Sequence, residues 1–246
     1  MGTFGDQIAV VTGASRGIGK AIALGLAAQS AAVVLVGRDI DALERAAAPA
    51  RATSPTVASY RADLTLDEDV AALVARIRAA FGAIDILVHS AGVIHHGPTD
   101  RAPVTDFDEQ YRANVHAPYV LTQALLPMLR SRRGQVVFVN STIGLSTRAG
   151  AGQFAATQHA LRAMADTLRD EVNADGIRVT SVYPGRTATA RQAALHALEG
   201  RTYSPERLLQ PEDVAAIVIG ALALARTAEV TDIRIRPMLK HPENTP

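Results

Sequence analysis

Thr12-Gly13-Ala14-Ser15-Arg16-Gly17-Ile18-Gly19 follows directly on the apolar run Ile8-Ala9-Val10-Val11 and leads straight into Lys20-Ala21-Ile22-Ala23. A β-branched run, a glycine-rich turn and an alanine-rich stretch in that order describe a strand that turns sharply into a helix. Glycines at such a turn let the backbone approach a ligand, and the free N–H groups and dipole of the helix start favour a pyrophosphate. Three spaced glycines alone also suit a tight turn with no ligand. Their place after the first strand is what points to a nucleotide.

The same alternation continues outward. Strand-like runs rich in β-branched residues recur at 33–36, 57–60, 84–88, 136–139, 177–182 and 233–235, separated by alanine- and leucine-rich stretches of helical spacing. This pattern argues for βαβ units and a parallel sheet, and the nearly continuous apolar character of several runs fits helices on both faces. The expected architecture is α/β: one doubly wound Rossmann domain spanning residues 1–246, with about seven parallel strands. Thr65-Leu66-Asp67-Glu68 carries a capping-box signature, Pro211-Glu212-Asp213 suits a first helical turn, and Gly176 is a natural stop for a helix begun near Gly152. Residues 185–210, interrupted by Gly200 and Pro205, read as a long substrate loop.

Bulk properties narrow the function classes. With 246 residues, 48% apolar and 20% charged, the chain can bury a substantial single core. Its 25 basic against 24 acidic residues give a net charge of +1, so no strong field draws it to nucleic acid or anionic lipid. The short cluster Arg130-Ser131-Arg132-Arg133 reads as a solvated helix end. Zero cysteine excludes disulfides and thiolate chemistry, and no apolar run reaches the length of a membrane span. The start, Met1 to Asp6, lacks a signal-peptide pattern, and the expected location is cytoplasmic.

Cofactor choice is readable at the end of the second strand. An NAD site usually places a carboxylate there for the ribose 2′-hydroxyl, whereas a 2′-phosphate needs a cation. Gly37 occupies the acid position, Arg38 follows, and Arg16 in the glycine turn offers a second forked guanidinium. NADP(H) is therefore favoured over NAD(H), with the nearby Asp39 working against it.

The Gly13, Gly17, Gly19 spacing resembles the short-chain dehydrogenase/reductase family. So do Asp63-Leu64 after the third strand, His89-Ser90-Ala91-Gly92 after the fourth, Asn114, Ser141, and Pro184-Gly185-Arg186-Thr187-Ala188-Thr189 after the sixth. These matches stand in the family's order across nearly the whole chain. The resemblance implies that Gly13, Ser15, Arg16, Gly17, Ile18 and Gly19 cradle the cofactor phosphates together with Arg38. It implies that Asp63 and Leu64 meet the adenine, Ala91 and Gly92 pass the ribose, and Pro184, Gly185, Thr187 and Thr189 hold the nicotinamide end. His89 replaces the family's usual asparagine and reads as a brace for the strand end.

The family's Tyr-x-x-x-Lys is absent. In its place stand Phe154 and Gln158, thirteen and seventeen residues after Ser141. By resemblance Ser141 orients a substrate carbonyl, Asn114 holds a relay water, Phe154 fills the proton donor's position, and Gln158 fills that of the lysine that lowers the donor's pKa and binds the ribose. Four residues apart on a helix, Phe154 and Gln158 share a face. Gln158 can hydrogen-bond a ribose but cannot shift a pKa by charge. His159 lies about 140° around the helix from Phe154 and should face elsewhere. Tyr183 and the pair His95-His96 lie nearer the pocket but read better as packing and loop residues. Adjacent histidines without an acidic cluster do not make a metal site, so none is expected.

These readings imply an NADP(H)-dependent oxidoreductase scaffold acting on a small-molecule carbonyl or alcohol, with standard carbonyl reduction crippled. Two alternatives stand beside it: a cofactor-binding protein that works by association, and hydride transfer to a conjugated or quinone acceptor that needs no phenol. The resemblance also implies a homodimer or homotetramer joined through helices near 106–130 and 152–175, with no nucleic-acid or membrane partner.

Overall fold

The computed structural model describes residues 2–239. Seven parallel strands form one sheet in the order β3-β2-β1-β4-β5-β6-β7. They are β1 Ile8–Thr12, β2 Ala32–Gly37, β3 Val57–Arg61, β4 Ile86–His89, β5 Gln135–Val139, β6 Arg178–Pro184 and β7 Asp232–Ile235. The helices are α1 Gly17–Ala28, α2 Ile40–Ala47, α3 Asp67–Phe81, α4 Val104–Tyr111, α5 Ala117–Arg130, α6 Gly152–Val172, α7 Ala190–Leu198 and α8 Pro211–Leu222. All seven expected strands are present, and the fourth begins at Ile86, two residues later than the run at 84–88 suggests.

Successive residues of the central strands enter opposite cores, which is why their sequences are apolar without alternation. Ala9, Val11, Val33 and Leu35 join Ile22 and Leu26 of α1 and Val218 and Leu222 of α8 on one face. Val10, Val34 and Val36 join Leu73 and Ile77 of α3, Leu121 and Leu125 of α5 and Leu161 of α6 on the other.

The winding direction reverses at β1. That strand pairs with β2 on one side, Thr12 opposite Val36, and with β4 on the other, Val11 opposite Val88. Chains leaving neighbouring strands in opposite directions open a crevice at the strands' carboxyl ends. One side chain spans it at the base: the Thr12 hydroxyl accepts the N–H groups of Ser90 and Ala91, each at 3.1 Å, and donates to Val88 O at 3.3 Å.

Local expectations fare unevenly. Gly176 stops the α6 segment in the left-handed region, φ 72°, after the short turn Asn173–Asp175. Asp213 reaches back to the Gln210 N–H at 2.8 Å at the start of α8. The Thr65 capping box does not form. Leu66 holds the N-cap position of α3, and Asp63 accepts both the Thr65 N–H at 3.0 Å and the Thr65 hydroxyl at 2.7 Å, taking the N–H that Glu68 would accept in a capping box. Arg130 and Arg132 are not merely solvated: they bind Asp175 at 2.6 Å and Asp85 at 3.0 Å. Residues 185–210 are not one loop, since α7 fills their middle and Thr187 bridges Leu209.

Replacing Thr12, which is 1% exposed, by valine keeps the shape but removes the acceptor of two N–H groups. Thr12→Val should lower unfolding stability by about 2 kcal/mol, read from the urea midpoint, with little change in denaturant slope. An unchanged midpoint would show that the β1–β4 bridge contributes nothing.

Candidate active site

A cleft of about 300 Å³ lies above the carboxyl ends of β1, β4 and β5. Its walls include every residue proposed from sequence for cofactor or chemistry: Gly13, Ser15, Arg16, Gly17, Ile18 and Gly19 of the glycine turn, Arg38, Asp63, Leu64, Ala91, Gly92, Asn114, Ser141, Phe154, Gln158, Pro184, Gly185, Thr187 and Thr189.

The glycine turn has no room for side chains. Gly13 (φ 65°) and Gly17 (φ 57°) both sit in the region disfavoured for other residues. A Cβ on Gly13 would come within 2.7 Å of Ala91 N, and one on Gly19 within 2.5 Å of Gly13 O. α1 starts at Gly17 with no side-chain cap, and its first residues, Gly17, Ile18 and Gly19, line the cleft, so the N–H groups that a helix start leaves unpaired lie at its wall. Opposite them, Thr189 caps α7 by accepting the Gln192 N–H at 3.1 Å, and its methyl carbon would lie 3.2 Å from a Cβ on Gly17.

Arg16 and Arg38 project from the turns after β1 and β2, and neither forms an ion pair among the described residues. Asp39 is spent on another task, accepting the Ala42 N–H at 3.0 Å to cap α2. Burial raises the Asp63 pKa, but hydrogen bonds from the Thr65 N–H and hydroxyl and the charges of Arg38 and Arg61 outweigh it, leaving the carboxyl below its ordinary value.

At the other end, a π-helical turn Arg112–His116 interrupts the rod between α4 and α5 and pushes Asn114 inward. Its amide donates to Val93 O at 2.8 Å and to the Thr157 hydroxyl at 3.1 Å, and its carbonyl accepts the Val93 N–H at 2.7 Å. A side chain on Gly92 would meet that carbonyl oxygen at 2.9 Å. Thr157 donates to Phe154 O at 2.8 Å and lies 3.5 Å from Gln158 Nε2. Phe154 and Gln158 do share one face of α6 and both border the cleft, 7% and 4% exposed. Ser141 borders it too, its hydroxyl accepting the Ile143 N–H at 3.3 Å.

The titratable groups among the described lining residues are Arg16, Arg38, Arg191, Asp63 and His89. His89 is buried, stacked on Phe138 at 4.9 Å and bonded to the Thr122 hydroxyl at 2.8 Å, and burial pushes its pKa down to about 3. It braces the strand end, as its sequence position implies. Tyr183 packs wholly inside the sheet, and exposed His159 turns back to bond Ala155 O at 2.9 Å. His96 stands behind Phe154, ring centres 6.1 Å apart, against Glu199, which also binds Arg148 and Arg186. Burial first, then the Arg148 charge, lowers the His96 pKa. No group of three or more potential metal ligands occurs among the described residues.

Sequence reading gave no role to Thr12, Thr157 or Arg191. Thr157 lies three residues past Phe154, on the inward face of an already assigned helix. Arg191 belongs to Thr189-Ala190-Arg191-Gln192, a threonine followed three residues later by glutamine, which is itself a helix-start signal.

A profile of the family described as short chain dehydrogenase matches residues 7–199. The chain belongs to the short-chain dehydrogenase family. An uncharacterized oxidoreductase of Staphylococcus aureus strain N315 is 33% identical over 234 residues, covering 95% of this chain and 98% of that one. Among solved structures, a metagenomic short-chain oxidoreductase in complex with NADP is 29% identical with a TM-score of 0.83, covering 96% of this chain and 100% of its own. A short chain dehydrogenase from Shigella flexneri 2a complexed with NADP is 30% identical with a TM-score of 0.87, covering 94% and 98%. L-Sorbose reductase from Gluconobacter frateurii, complexed with NADPH and L-sorbose, is 27% identical with a TM-score of 0.84, covering 94% and 95%. No helix among the described residues of this chain is long and apolar enough to cross a membrane.

The buried neutral imidazole of His89 gives a pH signature. Unfolded, it takes a proton near its ordinary 6.5, while folded it resists protonation to about 3. Between these values the unfolded chain holds more protons, so stability is lost as pH falls. Going from pH 7 to 5 should cost about 2 kcal/mol from this group. His89→Asn should remove that part of the slope in urea midpoints measured at both pH values. Equal slopes for the two proteins would contradict a neutral folded His89.

Proposed function

We propose that this short-chain dehydrogenase binds NADP(H) in the cleft and is an oxidoreductase of carbonyl and alcohol substrates whose usual proton donor is missing. The observation that carries this reading is the composition of the lining. It presents cations and backbone N–H groups for phosphates, yet no tyrosine, lysine, cysteine or glutamate among its described residues.

The residues fit the cofactor on three counts. The Gly13 to Gly19 turn leaves the space that side chains would fill, the first N–H groups of α1 lie there, and Arg16 and Arg38 stand without carboxylate ion-pair partners. NADP in the metagenomic and Shigella neighbours and NADPH in the Gluconobacter enzyme support the preference for the phosphorylated cofactor. Asp63 and Leu64 would bound the adenine, and Gln158, Pro184, Gly185, Thr187 and Thr189 the nicotinamide half. When bound, the cofactor supplies the hydride.

The chain's own part in the reaction is orientation. Ser141 offers one hydroxyl to a substrate oxygen, while the apolar ring of Phe154 excludes water where an acid would stand. Phe154 carries no exchangeable proton, and Gln158 does not titrate. Asn114 gives its amide to Val93 and Thr157, inside the protein. General acid–base catalysis contributes about 10² to 10⁴-fold, so reduction should be slowed by that order while cofactor binding persists.

The double variant Phe154→Tyr, Gln158→Lys should raise kcat for carbonyl reduction about 100-fold or more over the unaltered chain, with a similar NADPH dissociation constant. Brisk reduction by the unaltered chain would sink the missing-donor reading. Tight NADPH binding with no gain across aldehyde, ketone and quinone panels would favour a role by association. Exposed Tyr111 and Tyr119 on α4 and α5 support a dimer or tetramer through those helices and α6. Size-exclusion chromatography should show an assembly of two or four chains, and a monomer would exclude it.

A further inference from the structure

We propose that Arg191 is a strap across the cofactor cleft, holding α7 to the opposite wall and exchanging its present carbonyl partner for the central diphosphate of the dinucleotide. This rests on the cofactor reading above and adds a ligand-binding residue that neither the glycine turn nor the reaction centre supplies.

Arg191 lies in the first turn of α7, just past the Thr189 cap that packs against Gly17. The residue is exposed, yet its guanidinium reaches across the cleft. Nη2 donates to the carbonyl of Gly92, 99 residues away on the far side of the cleft. The side chain thus spans the space between the glycine turn and the Ala91-Gly92 wall, where the free N–H groups of α1 lie.

The electrostatic setting identifies the ligand class. Arg191 feels the repulsion of Arg16 and Arg38, and none of the three has an ion-pair partner among the described residues. Three like charges around one cleft favour a polyanion that meets all of them. A carbonyl oxygen is a neutral acceptor, whereas a phosphate offers the guanidinium an opposite charge and oxygens spaced for two parallel N–H bonds. Arg38 follows directly on β2 and Arg16 stands in the turn after the neighbouring β1, the end of the cleft to which the adenosine ribose is assigned. Arg191 is anchored instead at Gly92, on the wall formed by the loop after β4, which assigns it the diphosphate and not the 2′-phosphate. Gln158 brings no charge to that half of the cleft.

Fluorescence titrations of NADPH and NADH, with ADP and adenosine 2′-monophosphate as competitors, test this. Arg191→Ala should weaken NADPH and NADH by the same factor, about 10-fold, and weaken ADP likewise, while leaving adenosine 2′-monophosphate unchanged. Arg191→Lys should recover part of the loss. Arg38→Ala should weaken NADPH and adenosine 2′-monophosphate but not NADH. On hydrogen exchange, NADPH should protect residues 190–198 in the unaltered chain and less so in Arg191→Ala. Unchanged affinities, or a loss confined to the 2′-phosphorylated ligands, would overturn the assignment while leaving the cofactor reading intact. Failure of the unaltered chain to bind either dinucleotide would overturn both.

Discussion

Backbone lies against backbone where Gly13 meets Ala91, and the cleft is arranged around that approach. β1 and β4 are neighbours in the sheet but part company at their ends, so the two loops that follow would diverge without a tie. The Thr12 hydroxyl provides it by accepting two consecutive N–H groups from the β4 loop. That bond can form only if Gly13 carries no side chain, because a Cβ would stand 2.7 Å from Ala91 N. Gly19 answers the same constraint from the helix side, with 2.5 Å between its would-be Cβ and Gly13 O. The direction of α1, the position of its N–H groups and the width of the cleft all follow from this contact.

The second wall depends on a different device. A regular helix through residues 112–116 would carry Asn114 past the loop after β4, and the π-helical turn rotates it inward instead. There its amide and carbonyl clamp both backbone groups of Val93, and the absence of a side chain on Gly92 leaves space for the carbonyl oxygen. Thr157 continues the contact into α6, which carries Phe154 and Gln158. The proposed reaction centre is thus joined to the proposed nucleotide side through neutral hydrogen bonds.

How much of this was legible in the sequence depends on how local each cause is. The strands could be read because residues buried on both faces must be apolar throughout, as Val33 to Val36 are. The glycine turn could be read because the steric demand falls on the glycines themselves. The Thr65 cap does not form because Asp63, two residues away, takes the Thr65 N–H that Glu68 would have accepted, and a pattern rule does not weigh competitors. α7 is hidden in the sequence because Gly200 and Pro205 break the segment behind it, although Thr189 and Gln192 mark its start. The Asn114 turn and the Arg191 contact with Gly92 depend on which distant backbone atoms come near, and no spacing within the chain encodes that.

Phe154 and Gln158 belong together on physical grounds. An ammonium at position 158, where the side chain is 4% exposed, would carry a desolvation penalty unless a nearby group used its charge. In the proposed reading the use of that charge is to lower the pKa of a phenol, and Phe154 has none to lower. A tyrosine beside Gln158 would in turn keep a pKa near 10, too high to exchange protons readily at neutral pH. Either change alone leaves a group that carries a cost without its function, whereas the two together leave a compact, neutral, hydrogen-bonded face. The cations that remain, Arg16, Arg38 and Arg191, lie along the path assigned to phosphates. On that reading the charge in this cleft is distributed for holding a dinucleotide, and the group that would have coupled holding to proton transfer has been removed as a unit.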